Sequence, residues 1–111
     1  LSEQYLIRAE ALAQMNLPDS ARSSINQVRT RAGLGNTTAV SQADVLAAIE
    51  KERFTELFVE LGNPWYGLKR TGKVNIVLGT IKPEWVATDA LFPIPQSEIQ
   101  KNINMTQNPG Y

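Results

Sequence analysis

The sequence contains neither cysteine nor histidine. The absence of both residue types excludes disulfide bonds, thiolate nucleophiles, imidazole acid–base catalysis and the zinc sites that these side chains build. Eleven basic residues balance eleven acidic residues, which argues against the broad basic surface of a dedicated nucleic-acid binder. No apolar run approaches the length that spans a bilayer. The composition therefore predicts no metal site, no cofactor and no nucleic-acid partner.

At 111 residues the chain is long enough for one domain or for part of one. It has no initiating methionine and no visible signal peptide, and it begins within the helical pattern "LSEQYLIRAEALAQ". We therefore expect residues 1–111 to be a single domain or a fragment of a longer protein whose N-terminal part is absent.

Two helices are predicted at the start of the chain, over residues 3–16 and 20–32, because apolar residues recur there at three- and four-residue spacing. Asp19 is predicted to be the N-cap of the second helix. The two helices follow the large and small alternation of a tetratricopeptide helix hairpin, with these residues at the interface: Tyr5, Ala9, Leu12, Ala21, Ile25 and Val28. Only one such unit is visible, and a solenoid needs about three.

The third predicted helix is the longest and runs from Gln42 to Leu61, where Gly62 ends it. Ser41 and Asp44 form an acidic variant of the capping box at its start. Its predicted apolar side consists of Val45, Leu46, Ile49, Leu57 and Phe58.

The last third of the chain is rich in loops. Residues 65–70 are predicted as a short helix, and "KVNIVLG" fits either a helix or a strand. "FPIP" forces an extended path at residues 92–95, and "QSEIQKN" predicts one or two final helical turns. The fold class is therefore mostly α: a tetratricopeptide-like hairpin, a long third helix and a loop-rich C-terminal third.

Glu52, Glu56 and Glu60 are the most suggestive group for chemistry, because they lie one helical turn apart, about 6 Å along the axis. Glycoside hydrolysis needs two carboxylates that flank the bond, whereas these project from one side of one helix. Arg53 lies among them, and Arg8 on the first helix can cross to the same face. We therefore interpret the five residues as a structural ion-pair network and predict no catalytic residues.

Two aromatic residues are candidates for ligand contact. Trp85 lies in the polar loop "KPEWVATD", and Tyr66 follows Trp65, which we expect to be mostly buried. An indole face complements the apolar C–H face of a sugar ring, although core packing is the alternative for each ring. The basic run Lys69, Arg70, Lys73 and Lys82 predicts only a solvated face.

The chain resembles the C-terminal part of SusD/RagB-family proteins. The matching pieces occur in the family's order over nearly the whole chain: "YLIRAEALAQ", "NQVRTRAGL", "AIEKERFTEL", "ELGNPWYGLKRTGK", "LFPIPQSEI" and "TQNPGY". Pro64 and Gly67 stand where members often carry Arg and Asp, and Ile103 stands where a proline is common. These differences indicate a divergent member.

The resemblance implies an α-helical nutrient-binding lipoprotein at the cell surface, anchored to the outer membrane by an N-terminal lipidated cysteine that this chain lacks. Such a protein caps a SusC-like TonB-dependent transporter, delivers oligosaccharides or other nutrients to it, and is not an enzyme. The resemblance also implies that glycan contacts lie mainly in earlier parts of the family's chains, so that residues 1–111 carry mostly scaffold.

Two other functions stay open. A tetratricopeptide-type adaptor that binds a peptide or protein is the main alternative, on the strength of the helix hairpin. A glycoside hydrolase that uses Glu52, Glu56 or Glu60 is the third hypothesis.

Overall fold

The computed structural model describes residues 1–60 and 62–111. This part of the chain contains six α-helices, one 3₁₀ helix and no strand, which confirms the mostly-α fold class. The helices are α1 (Ser2–Gln14), α2 (Pro18–Arg31), α3 (Gln42–Glu56), α4 (Asn63–Arg70), α5 (Val74–Ile81), the 3₁₀ helix (Ala87–Ala90) and α6 (Gln96–Lys101). Two compact units are formed: unit 1 is Leu1–Pro64 and unit 2 is Trp65–Tyr111.

Helices α1 and α2 pack together as the predicted hairpin, and α3 packs against both. The core between them is built from small and β-branched side chains that allow close approach of the helix backbones. Its fully buried members are Ala9, Ala13, Ala21, Ile25, Val45 and Ile49.

The start of α2 corrects one prediction. Leu17 occupies the N-cap position and Pro18 the first helical position, so Asp19 is not the N-cap. Proline suits this place because its ring presets the helical φ, and because its missing N–H would have had no partner there. Asp19 instead lies in the first turn and forms an ion pair with Arg22.

The start of α3 confirms the predicted capping box. The Asp44 N–H donates to Ser41 Oγ at 3.1 Å, and the Ser41 N–H donates to Asp44 Oδ2 at 3.3 Å. The Ser41 hydroxyl also donates to Asp44 Oδ2 at 2.6 Å. Hydrogen bonds from the Ser41 side chain and backbone hold the pKa of the Asp44 carboxyl below its usual value.

The end of α3 differs from the prediction. The helix ends at Glu56. Leu57 is buried in a second core cluster together with Leu6 and Val28. The Thr55 hydroxyl donates to the carbonyls of Lys51 and Glu52, a back-bond that weakens and bends helices.

Turns follow the end of α3, with the Glu60 N–H donating to the Leu57 carbonyl. Phe58 was predicted to face the core, but it is 58% exposed. Leu61, the predicted last residue of the helix, lies outside the described residues. Gly62 has a φ of 69°.

The structure shows which segments in the last third of the chain are helical. "KVNIVLG" contributes to α5, whose Val74 is buried, and "QSEIQK" forms α6. Pro64 lies in the first turn of α4, where a proline costs no hydrogen bond. Gly67 lies in the middle of α4 with open space around the position of a Cβ.

The C-terminal tail, residues 102–111, binds the extended segment 91–95. Gln107 Oε1 accepts from the Ile94 N–H at 2.7 Å, and Gln107 Nε2 donates to the Ile94 carbonyl at 2.9 Å. Asn108 Nδ2 donates to the Phe92 carbonyl at 2.7 Å, and the Tyr111 hydroxyl donates to the Leu91 carbonyl at 2.9 Å. The two most distinctive C-terminal sequence motifs, "LFPIP" and "TQNPGY", are therefore partners in space.

Gly110→Ala tests this arrangement. Gly110 has a φ of 96°, and an added Cβ would lie 2.6 Å from Thr88 Oγ1. We expect the substitution to cost about 1 to 3 kcal/mol and to loosen the tail. Hydrogen exchange measured by mass spectrometry should then show faster exchange in peptides that contain Ile94.

The matched control is Gly35→Ala, because no atom lies within 4 Å of a Cβ built at Gly35. We expect its effect to stay within about 0.5 kcal/mol. Equal exchange in peptides containing Ile94 for the Gly110 variant and the unaltered protein would contradict the described tail geometry.

Candidate functional site

Three aromatic rings of unit 2 pack together and form what we call the aromatic cluster: Trp65, Trp85 and Phe92. The Trp65 ring centroid lies 5.4 Å from that of Phe92 at an interplanar angle of 47°. It lies 6.4 Å from that of Trp85 at 70°, in an edge-to-face arrangement. Such tilted geometries are favourable for aromatic pairs. Trp65 is neither fully buried nor exposed, which agrees with the expectation that most of its ring is covered.

Lys69 lies one turn after Trp65 on α4. Its ammonium nitrogen is 5.8 Å from the centroid of the Trp65 ring and also donates to the Ala90 carbonyl. The cation–π contact and the hydrogen bond fix both the indole and the chain that leads to the extended segment. The sequence predicted only a solvated basic face here. The Ala90 carbonyl gave no signal because it lies 21 residues further along the chain.

Trp85 is half-buried, and its polar edge has a defined partner. Its indole Nε1–H donates to Asn75 Oδ1 at 2.9 Å. Since the indole nitrogen is only a donor, the amide oxygen of Asn75 must face it. The two N–H donors of the exposed Asn75 amide then have no partner among residues 1–60 and 62–111. An aromatic face and an amide donor therefore lie side by side.

Tyr66, the second predicted ligand contact, is 66% exposed on α4. Phe92 is 68% exposed and was not singled out in the sequence. Its position directly before Pro93 was a signal only for an extended chain, and its contact with Trp65 is a tertiary feature. Asn75 gave no signal either, because its partner lies ten residues further along the chain.

The acidic residues of α3 have arginine partners on α2. Glu52 is buried, and its Oε2 lies 3.1 Å from Arg29 Nη1. Arg29 Nε also donates to the Gly35 carbonyl at 2.7 Å, so one guanidinium joins α2, the following loop and α3. Glu56 pairs with Arg31 rather than with Arg53.

The remaining members of the predicted network are Arg53, Arg8 and Glu60. Arg53 Nε lies 3.9 Å from Glu10 Oε2 of α1, an ion pair that is too long for a hydrogen bond. Arg8 and Glu60 are exposed. The structure thus supplies Arg29, Arg31 and Glu10 as partners that the sequence did not indicate.

A polar cleft of about 510 Å³ lies along α2 and the loop after it. Its polar groups largely hold the loop: Asn26 Oδ1 accepts from the Thr37 N–H at 2.9 Å, and Arg22 donates to the Ala39 carbonyl. The cleft lacks an aromatic wall, so the aromatic cluster is the better candidate site.

No group of three or more potential metal ligands is present in the described part of the chain. Among the helices that the structure describes, none is long and apolar enough to cross a membrane.

The described residues define an all-helical protein that is built on a helix hairpin and carries a partly exposed aromatic cluster. The sequence profile of the SusD family matches residues 1–111. No curated protein matches the chain.

A solved structure of a SusD-like protein from Bacteroides fragilis is also similar, with 26% sequence identity and a TM-score of 0.77. The alignment covers 99% of this chain and 25% of that one, so the chain spans about a quarter of the relative's length.

The chain belongs to the SusD family. Proteins of this family are nutrient-binding proteins, and they are typically associated with the outer membrane.

Glu52→Gln tests the energetic weight of the Arg29 contact. The change leaves the Arg29 guanidinium without its carboxylate in a poorly hydrated place, where Arg29 is 26% and Glu52 8% exposed in their side chains. We expect a loss of about 1 to 3 kcal/mol of unfolding free energy. Urea denaturation followed by far-UV circular dichroism measures it.

Glu60→Gln is the control, since it removes an exposed carboxylate near the end of the same acidic series. We expect a change within about 0.5 kcal/mol. Equal losses in the two variants would show that burial of the Arg29–Glu52 pair is not the source of stability.

Asn75→Leu tests the Trp85 contact. The variant removes the acceptor of the indole N–H, so we expect that proton to exchange with water roughly fivefold faster, as for the loss of one hydrogen bond. Asn75→Asp retains an acceptor at the same place and should preserve slow exchange. NMR of the tryptophan indole N–H resonances reports both. Fast exchange in the unaltered protein would argue against the hydrogen bond.

Proposed function

We propose that this chain is the C-terminal scaffold region of a surface-exposed lipoprotein that binds oligosaccharides and delivers them to a SusC-like TonB-dependent outer-membrane transporter. The observation that carries the proposal is the SusD-family match over residues 1–111. The relative from Bacteroides fragilis supports the placement as one region of a longer protein, because the chain spans 25% of its length. Membrane attachment is proposed to depend on a lipid anchor outside this chain.

The scaffold role is supported by the packing of unit 1. Three helices share one core, and the ion pairs of Glu52, Glu56 and Arg53 each join two helices. We assign these pairs to bracing rather than to catalysis, because the carboxylates of Glu52 and Glu56 each face an arginine. The proposed protein is accordingly a binder and not an enzyme.

A ligand-contacting role for Trp85 and Tyr66 is supported by their chemistry. Trp85 offers an indole face next to the amide donors of Asn75, and Tyr66 offers an exposed ring with a hydroxyl. Sugar rings have an apolar C–H face bounded by hydroxyl groups, which suits an aromatic surface with a polar neighbour. These residues would add to contacts made elsewhere in the full-length protein.

Calorimetric titration of the full-length protein with neutral oligosaccharides tests the proposal. The panel is maltoheptaose, cellohexaose, mannohexaose and xylohexaose. We expect at least one to bind, and Trp85→Ala to weaken it about fivefold, close to 1 kcal/mol. Phe54→Ala, which removes a half-exposed ring of unit 1, should leave the affinity unchanged.

Co-purification of the full-length protein with its co-expressed transporter tests the delivery step. Binding of none of the sugars, together with no transporter in the purified complex, would overturn the proposed function. Capture of peptides instead would favour the tetratricopeptide-type adaptor, which rests on the α1–α2 hairpin.

A further inference from the structure

We infer that Phe92 is a third ligand-contacting residue beside Trp85 and Tyr66, and that Gln107 and Asn108 are positioning residues that hold it in the aromatic cluster. The ligand class is a neutral sugar ring that presents its C–H face to the phenyl ring. This inference rests on the proposed function and assigns a task to the C-terminal tail.

The exposure of Phe92 is unusual for a phenyl ring with fixed contacts. The side chain is 68% exposed, yet its ring packs at 5.4 Å against Trp65. A phenyl ring gains free energy when it leaves water. The exposed Phe92 ring is already held in place, so it is suited to being covered by the apolar face of a ligand.

The backbone around Phe92 cannot be held by ordinary secondary structure. Pro93 and Pro95 have no N–H, so Ile94 supplies the only backbone donor over residues 93–95. Backbone polar groups nevertheless need partners. Side chains of the tail supply these partners. The Gln107 amide accepts from the Ile94 N–H and donates to the Ile94 carbonyl, and the Asn108 amide donates to the Phe92 carbonyl.

The preceding residues are held as well. The Tyr111 hydroxyl donates to the Leu91 carbonyl, and Lys69 Nζ donates to the Ala90 carbonyl. Four of the five residues from 90 to 94 are thus anchored by side chains from α4 and the C-terminal tail: Ala90, Leu91, Phe92 and Ile94. The Phe92 ring is fixed before a ligand arrives, which lowers the entropy cost of binding.

The charge around the ring favours a neutral ligand. Lys69, the cation that lies over the Trp65 ring, also donates to the Ala90 carbonyl. The phenyl ring of Phe92 contacts the Trp65 ring, and the Phe92 carbonyl accepts from the Asn108 amide. Nothing in this set selects an anion, whereas flat apolar rings beside amide groups fit a sugar.

A double-mutant cycle in the full-length protein tests the inference. The probe is whichever of maltoheptaose, cellohexaose, mannohexaose and xylohexaose binds the unaltered protein most tightly. We expect Phe92→Ala to raise the Kd about fivefold and Phe92→Trp to retain affinity. Gln107→Ala should raise the Kd several-fold alone, but not when added to Phe92→Ala, because it acts through that ring.

Ile103→Ala is the control within the tail, because Ile103 is 94% exposed and its removal should leave the Kd unchanged.

An unchanged Kd for Phe92→Ala, while Trp85→Ala still weakens sugar binding, overturns this inference and spares the proposed function. So does a lowered melting temperature of Phe92→Ala at unchanged Kd, which would place the ring against another part of the protein. If the effects of Phe92→Ala and Gln107→Ala on the Kd are additive, the positioning role of Gln107 is overturned. Absence of any sugar binding by the unaltered protein overturns the proposed function itself.

Discussion

One partly buried arginine joins the parts of unit 1. Arg29 places its guanidinium between the Glu52 carboxylate of α3 and the Gly35 carbonyl of the loop after α2. The planar guanidinium satisfies both acceptors at once, which an ammonium group would not do in the same geometry. The small-residue core of α1 and α2 depends on α3 closing over it, and this contact fixes where α3 lies against α2.

Unit 2 obeys a different constraint, because its extended segment carries prolines where a helix or sheet would need N–H groups. Side chains of the tail supply hydrogen bonds to this backbone in place of secondary structure: Gln107, Asn108 and Tyr111. That arrangement leaves Phe92 exposed while its ring packs against Trp65.

Local signals predicted the local structure well. Ser41 and Asp44 predicted the start of α3, because both partners of a capping box lie within four residues of each other. The end of α3 was missed, since it depends on the burial of Leu57 against another helix. The Arg29–Glu52 pair and the Phe92–Trp65 contact join residues 23 and 27 positions apart, and no periodicity encodes such contacts. The family resemblance was carried by ordered motifs, and Trp85 and Tyr66 stay predictions.

The central claim is that the aromatic cluster of unit 2 contributes to sugar binding in a protein that α1, α2 and α3 help to scaffold. The most direct test follows the Trp85 indole N–H resonance of the full-length protein during titration with the tightest-binding oligosaccharide. The account predicts a saturable shift that follows the calorimetric Kd, with resonances of the Arg29 side chain unmoved. An unmoved Trp85 resonance at saturating sugar would contradict it.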